Sequence, residues 1–284
     1  MATTTQTRSF RAARRPGSLE LLGEGIRDVW SRRRLARYIV RAELHKHGAD
    51  TLLGNVWWIL DPLLQMAVYV VFVSVILGRG GKDYPLFVFC AILPWKWFSS
   101  AVNDGITSVT SRERIIKQVK FPKIVLPVAA TVGGIVNFAF GLIPLFGLML
   151  AFYADRISPT LVLIPVVAVV QFVFSLAVAV FLSAVNVFFR DVGNLARHVL
   201  RLWFYLSPAL YSLDSVADKA GGLVGKILAL NPWTILFESY RAVIYSGTQP
   251  GWGPLAFLLG VSFVLLAFAI IVFKRVEPTF AKVL

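Results

Sequence analysis

Residues able to do acid–base, nucleophilic or metal chemistry are few and scattered. The 284-residue chain holds three histidines (His45, His47 and His198) and one cysteine, Cys90. A structural or catalytic metal needs three or four such ligands brought together, and a disulfide framework needs paired cysteines. His45 and His47 form the only local cluster, on a basic stretch with no acidic pair beside it. That disfavours a membrane glycosyl- or acyltransferase, which needs a positioned acid or base. The string Gly221-Gly222-Leu223-Val224-Gly225-Lys226-Ile227 has the wrong spacing for a phosphate-cradling loop and lacks a Ser or Thr after Lys226. No cofactor is therefore expected in this chain. The ionisable residues lying in or beside apolar runs are Asp61, Lys96, Asp104 and the pair Arg190-Asp191, and charges so placed are functional suspects. Asp61 precedes Pro62 and either caps a helix start or serves a pathway. Arg190 and Asp191 pair with each other or with the basic loop upstream. No carboxylate pair sits deep in adjacent spans and no inverted repeat is visible, which disfavours a secondary carrier.

The elements that position these residues are set by composition. Apolar residues make up 57% of the chain and charged residues 15%, against about 25% charged in soluble domains. The mean hydropathy is +0.71, yet the formal net charge is +14. An apolar and basic chain reads as a polytopic membrane protein with its cations on one side. A spanning helix takes about 20 apolar residues, and six candidate runs fit: 56–77, 84–102, 124–153, 159–188, 198–213 and 252–273. The fifth is short and spans only if its helix starts near Val192, with Arg197 and Arg201 snorkelling. The segment 214–251 is broken by Gly221-Gly222, Gly225, Asn231-Pro232 and Gly247, and reads as short re-entrant or interfacial helices. No apolar run of signal-peptide type lies in the first 55 residues. Residues 1–25 read as a flexible N-terminus and 274–284 as a tail. Over 26–46, Leu35, Tyr38, Ile39 and Ala42 recur at helical spacing apart from Arg34, Arg37 and Arg41, which gives an amphipathic helix, interfacial or simply solvated.

With the N-terminus inside, 11 Lys and Arg fall in 1–55, five in 103–123, three in 189–201 and three in the tail. That places 22 of the 29 cations on the cytoplasmic side against six outside. Both termini are therefore expected in the cytoplasm, and the asymmetry accounts for the charge without nucleic-acid binding. In the loop after the second run, Thr110-Ser111-Arg112-Glu113 matches a capping box and Pro122 ends the element. This predicts a short basic helix at about 111–120, with Ile115, Ile116 and Val119 on one face. It is either a lever for a soluble partner or an ordinary positive-inside loop. Trp57, Trp58, Trp95, Trp97, Trp203, Tyr205, Tyr211, Trp233 and Tyr240 can stack on sugar faces or form an interfacial belt. Phe72 and Tyr205 lie nearer mid-span.

Several motifs then carry a resemblance. Leu53-Gly54-Asn55-Val56-Trp57 followed by Asp61-Pro62-Leu63 resembles the entry to the first span of polysaccharide-exporting ABC transporter permeases of the type-2 class. Tyr84-Pro85-Leu86-Phe87-Val88-Phe89 with Leu93-Pro94-Trp95 resembles their second span. Ile116-Lys117-Gln118-Val119-Lys120-Phe121-Pro122-Lys123 resembles their coupling signature, and Phe189-Arg190-Asp191-Val192 their turn after span four. Leu206-Ser207-Pro208 and Asn231-Pro232-Trp233 with Tyr240-Arg241 complete the order. The match covers about 50–275. One departure is Arg41-Ala42-Glu43-Leu44-His45-Lys46-His47, where the family often has an Arg-Asp-Leu-Lys type of run.

The resemblance implies an all-α, six-span permease working as a homodimer, with residues 56–273 as the transmembrane domain and 26–55 as interface helix and entry loop. Two copies of a separate ATPase would bind ATP and Mg below it. The cargo it implies is an undecaprenyl-linked polysaccharide of O-antigen, capsule or teichoic-acid type; a type-2 permease exporting a lipid or drug is the alternative. On this reading Arg112, Glu113, Arg114, Ile116, Lys117, Lys120, Phe121 and Pro122 couple to the ATPase. The glycan channel would use Trp57, Trp58, Phe72, Trp95, Trp97, Trp203, Tyr205 and Tyr211. Asn231, Pro232, Trp233, Tyr240 and Arg241 would belong to gate helices on the far side.

Overall fold

Backbone amides in hydrocarbon have no water to bond, so apolar runs of this length satisfy themselves as helices. The computed structural model describes residues 16–48, 53–78, 80–212, 228 and 230–284, and among these there is no strand. The order is α1 (Ser18–Ser31), α2 (Arg33–Gly48), α3 (Trp57–Val70, continued by a π-helical segment Val71–Ile76), α4 (Tyr84–Thr107), α5 (Glu113–Gln118) and α6 (Val125–Phe152). Then follow α7 (Ile164–Phe188, preceded by a 3-10 stretch Pro159–Leu163), α8 (Val192–Leu206), α9 (Pro232–Ile244), α10 (Trp252–Val276) and α11 (Phe280–Val283).

Helix α4 is the buried centre, packed on α6, α7 and α3, while α10 lies along α7. Small residues let the helices approach, as expected where packing rather than hydrophobic exclusion drives association. A Cβ built on Gly105 of α4 would lie 2.7 Å from the Ala179 Cβ of α7. Buried polar groups are tied across helices: Gln171 Nε2 donates to the Pro94 carbonyl at 2.8 Å, and the Tyr240 hydroxyl donates to Gln171 Oε1 at 2.9 Å.

Five helices among the described residues are long and apolar enough to cross a membrane: Trp57–Ile76, Tyr84–Thr107, Val125–Phe152, Pro159–Phe188 and Trp252–Val283. The fifth expected run, 198–213, differs. Its helix starts at Val192 as required, but it has 15 residues, about 22 Å of rise, and ends where Ser207 bonds back to the Trp203 carbonyl ahead of Pro208. Of the expected gate region, 214–227 and 229 lie outside the described residues. The described part forms α9, started by Asn231, whose side chain accepts from the Trp233 amide.

The N-terminal element also differs from the sequence reading. The helix begins at Ser18 rather than 26 and breaks at Arg32 into two pieces. Residues 18–25 are ordered by distant partners: Leu21 and Gly25 are buried, and a Cβ on Gly25 would meet Ile270 of α10. Residues 1–15 of the expected flexible N-terminus lie outside the described residues.

Candidate translocation groove and coupling face

Three apolar helices each carry a polar stripe at the spacing of one helical face. On α3 it is Asp61, Gln65 and Tyr69. On α4 it is Lys96, Ser99, Ser100 and Asn103. On α8 it is Arg197, Arg201 and Tyr205. Apart from Asp61, these residues line one groove of about 520 Å³, walled also by Trp95, Leu200 and Phe204. Lys96 and Ser100 also line a second cavity of about 380 Å³ between α3, α4 and α6, with Trp57, Trp58, Asp61, Trp97, Asn137 and Phe138.

The two cavities meet at the ion pair of Lys96 with Asp61. Asp61 therefore sits inside α3 and does not cap its start. Its side chain is 60% exposed. An exposed carboxylate within an apolar span requires water or a partner beside it. At the far end of the groove Tyr69 and Tyr205 bring their hydroxyls to 3.4 Å.

The expected channel aromatics divide. Trp95 and Tyr205 line the groove, and Trp57, Trp58 and Trp97 line the adjoining cavity. Trp203 is turned into the protein, its Nε1 donating to Asn231 Oδ1 at 3.1 Å. Phe72 is exposed on the π-helical segment, and the Tyr211 hydroxyl donates to the Leu206 carbonyl; neither lines the groove.

The expected gate residues form a buried clasp. Pro232 opens α9 at its first position. Asn231 Nδ2 donates to Ser207 Oγ at 2.8 Å. Trp233 packs edge-on against Trp95 with ring centroids 4.7 Å apart. Tyr240 is fully buried. Arg241, 3% exposed, donates to the carbonyls of Pro208 and Ala209, each at 2.7 Å, and lies over the Phe87 ring. This clasp fixes the turn that ends α8, and so the height of Tyr205 in the groove.

At the end of the bundle that the charge pattern assigns to the cytoplasm, the coupling element is shorter than 111–120. A 3-10 turn, Thr110–Arg112, leads into the six-residue α5. The capping box does not form: Thr110 Oγ1 donates back to the Thr107 carbonyl, and Glu113 is held by Lys117 at 2.7 Å. That hydrogen bond holds the Glu113 carboxyl below its ordinary range. Arg190 approaches Glu113 at 3.9 Å, so the turn after α7 does pair with this loop. Arg112 bridges from the Ser108 carbonyl to Glu43 of α2.

Ile116 is buried, whereas Arg114, Ile115 and Val119 are exposed. Lys117, Lys120, Phe121 and Pro122 border an open cleft of about 1100 Å³ against α1 and the end of α10. Lys274 anchors that cleft, 2.8 Å from Glu24, 2.7 Å from Asp28 and 2.8 Å from Glu277.

Buried Asn186 ties this face to the groove wall. Its Nδ2 donates to the Ile106 carbonyl at 3.1 Å and to Thr110 Oγ1 at 3.4 Å, and its Oδ1 accepts from the Gly193 amide of α8 at 3.1 Å. Sequence reasoning missed Gln65, Tyr69, Ser99, Ser100 and Asn103. The signal that finds them is the four-residue recurrence of polar side chains inside otherwise apolar spans.

Comparison with known proteins agrees with this architecture. Residues 35–245 match the family described as ABC-2 type transporter. The chain is 35% identical over 257 residues to the O-antigen export system permease protein RfbA of Myxococcus xanthus, covering 90% of this chain and 98% of that protein. It is 26% identical over 247 residues to an O-antigen export system permease protein RfbA of Klebsiella pneumoniae, covering 87% and 93%. With the family match spanning most of its length and a full-length permease relative, this multi-helix membrane chain belongs to the ABC-2 type transporter family.

Proposed function

We propose that this chain is the membrane subunit of an ATP-driven exporter that moves an undecaprenyl-linked polysaccharide of O-antigen, capsule or teichoic-acid type across the bacterial inner membrane. It works as a homodimer with two copies of an ABC ATPase, which bind ATP and Mg. Both termini lie in the cytoplasm, and α8 makes the remaining one of six spans. The observation that carries the reading is the groove. Its polar stripes on α3, α4 and α8 bring Gln65, Tyr69, Ser99, Asn103, Arg197 and Arg201 to one wall, a costly placement in lipid that water and a second copy relieve. A groove open along one side in one protomer becomes a closed path when two face each other.

The groove suits a glycan because hydroxyl-bonding side chains alternate with ring faces (Trp95, Phe204, Tyr205) able to stack on sugars. Trp57, Trp58 and Trp97 extend that surface. The coupling loop, from Arg112 to Pro122, offers cations and the exposed Ile115 and Val119 to the ATPase, and Asn186 carries its movement to α8. Purification with the candidate ATPase tests this. The expected result is a two-plus-two complex whose ATP hydrolysis rises with lipid-linked polysaccharide. Failure to assemble with any candidate ATPase overturns the proposal.

A further inference from the structure

The cationic end of the groove differs from the rest of its wall. Arg197 and Arg201 are exposed, sit one turn apart on α8, and both line the groove. Among the described residues, no carboxylate lines it. Lys96, the third cation there, is already neutralised by Asp61 from the adjoining cavity. The Arg197 guanidinium is steadied by Asn194 Oδ1, while Arg201 has no ion-pair partner among the described residues. Facing them on α4 are the neutral Ser99, Ser100 and Asn103. The nearby Asp104 carboxylate accepts from Ser100. The site therefore holds two guanidinium forks without local compensation, at the groove end assigned to the cytoplasm.

Cβ atoms one helical turn apart are about 5–6 Å from each other, close enough for both forks to close on one multiply charged group. Guanidinium matches phosphate oxygens with two parallel hydrogen bonds, which an ammonium cannot do. From Arg197 to Tyr205 the rise along α8 is about 12 Å. Over that distance the wall changes from charge-binding to ring-stacking.

We propose that Arg197 and Arg201 form a phosphate subsite at the cytoplasmic mouth of the groove. It takes the phosphodiester or diphosphate group of a membrane lipid while the aromatic wall beyond it takes the first sugars. This rests on the reading of the groove as the glycan path. Two lipids share the chemistry: the polyprenyl diphosphate carrier and ordinary anionic phospholipid. The wall favours the carrier, because a phospholipid headgroup leaves the aromatic stretch unused.

The test uses the permease–ATPase complex in phosphatidylcholine nanodiscs. ATP hydrolysis is followed against added undecaprenyl diphosphate, against extracted lipid-linked polysaccharide, and with phosphatidylglycerol included in the disc. Arg197→Gln, Arg201→Gln, the double variant and Arg201→Lys are compared with Lys82→Gln, an exposed lysine in the loop on the opposite side. Removing both guanidinium groups removes the charge-assisted hydrogen bonds that would hold the phosphate. The double variant should therefore raise the half-saturating undecaprenyl diphosphate concentration at least about tenfold, which corresponds to 1.4 kcal/mol. Arg201→Lys should fall between wild type and Arg201→Gln, and Lys82→Gln should match wild type. If the double variant does not assemble, the single Gln variants give the same reading at smaller size.

Phosphatidylglycerol competing in wild type but not in the double variant supports the subsite, with bulk lipid as its occupant. Unchanged half-saturation in every arginine variant, with stimulation intact, overturns the subsite and leaves the glycan path standing. Absence of any stimulation of the wild type by lipid-linked polysaccharide overturns the path itself.

Discussion

Replacing Lys274 by Met tests whether one buried ammonium holds three chain segments together. Its Nζ reaches Glu24 and Asp28 of α1 and Glu277 just beyond α10, and its side chain is 7% exposed. The partners are not equal. Glu24 is 51% exposed, so its pairing is worth under about 1 kcal/mol. Asp28 and Glu277 are 21% and 7% exposed and would be left as shielded carboxylates facing one another. Breaking a buried pair by removing one partner costs about 3–5 kcal/mol. Glu277 keeps its bond from the Lys123 amide, which offsets roughly 1 kcal/mol, so the net expectation is about 3 kcal/mol. On the scale of roughly 2–4 °C per kcal/mol for a large domain, the midpoint should fall by about 6 °C or more.

Thermal unfolding of the detergent-solubilised chain, followed by tryptophan fluorescence, measures this. Proteolysis within α1 should accelerate in parallel. Adding Glu277→Gln to Lys274→Met should recover part of the loss, because it removes one orphaned charge. A midpoint shift under about 1 °C, or a double variant equal to the sum of the singles, would refute the reasoning.

Three further outcomes follow from the packing. Gly105→Val pushes α4 away from Ala179 of α7 and should cost about 1–3 kcal/mol, seen as a lower midpoint and a loss of monodisperse protein. Asn186→Ala strands the Ile106 carbonyl and the Gly193 amide at about 1–3 kcal/mol. On the proposed reading as an ATP-driven glycan exporter, it should lower glycan exported per ATP hydrolysed, and an unchanged ratio would count against Asn186 as the link to α8. Arg241→Lys keeps the charge but loses the fork that grips the Pro208 and Ala209 carbonyls. A midpoint drop of several degrees is expected, with Arg241→Met falling further.

The spans were legible because lipid leaves the backbone only helix, so length and hydropathy decide the element. The runs 84–102, 124–153, 159–188 and 252–273 correspond to Tyr84–Thr107, Val125–Phe152, Pro159–Phe188 and Trp252–Val276 within a few residues. The short helices were less legible because their ends depend on partners elsewhere. The start of α1 at Ser18 is fixed against Ile270 and Lys274. The capping box at Thr110 lost to a back-bond and to Lys117. The gate set read from Asn231 to Arg241 lies in the buried clasp around α9, because Trp203, Pro208 and Ala209 supply its polar partners.

Sequence alone determined the class of this protein: a multi-helix membrane chain with motifs in the order of an ABC-2 type permease. Those properties are sums over local composition, and folding does not alter them. Tertiary structure decided which polar residues act together. Asp61 and Lys96 are 35 positions apart, and Lys274 and Asp28 are 246 apart, yet each pair is in contact. The three stripes of the groove each look like minor interruptions of an apolar run. They become one surface only when α3, α4 and α8 pack side by side, because helix packing sets which faces meet and local hydropathy does not.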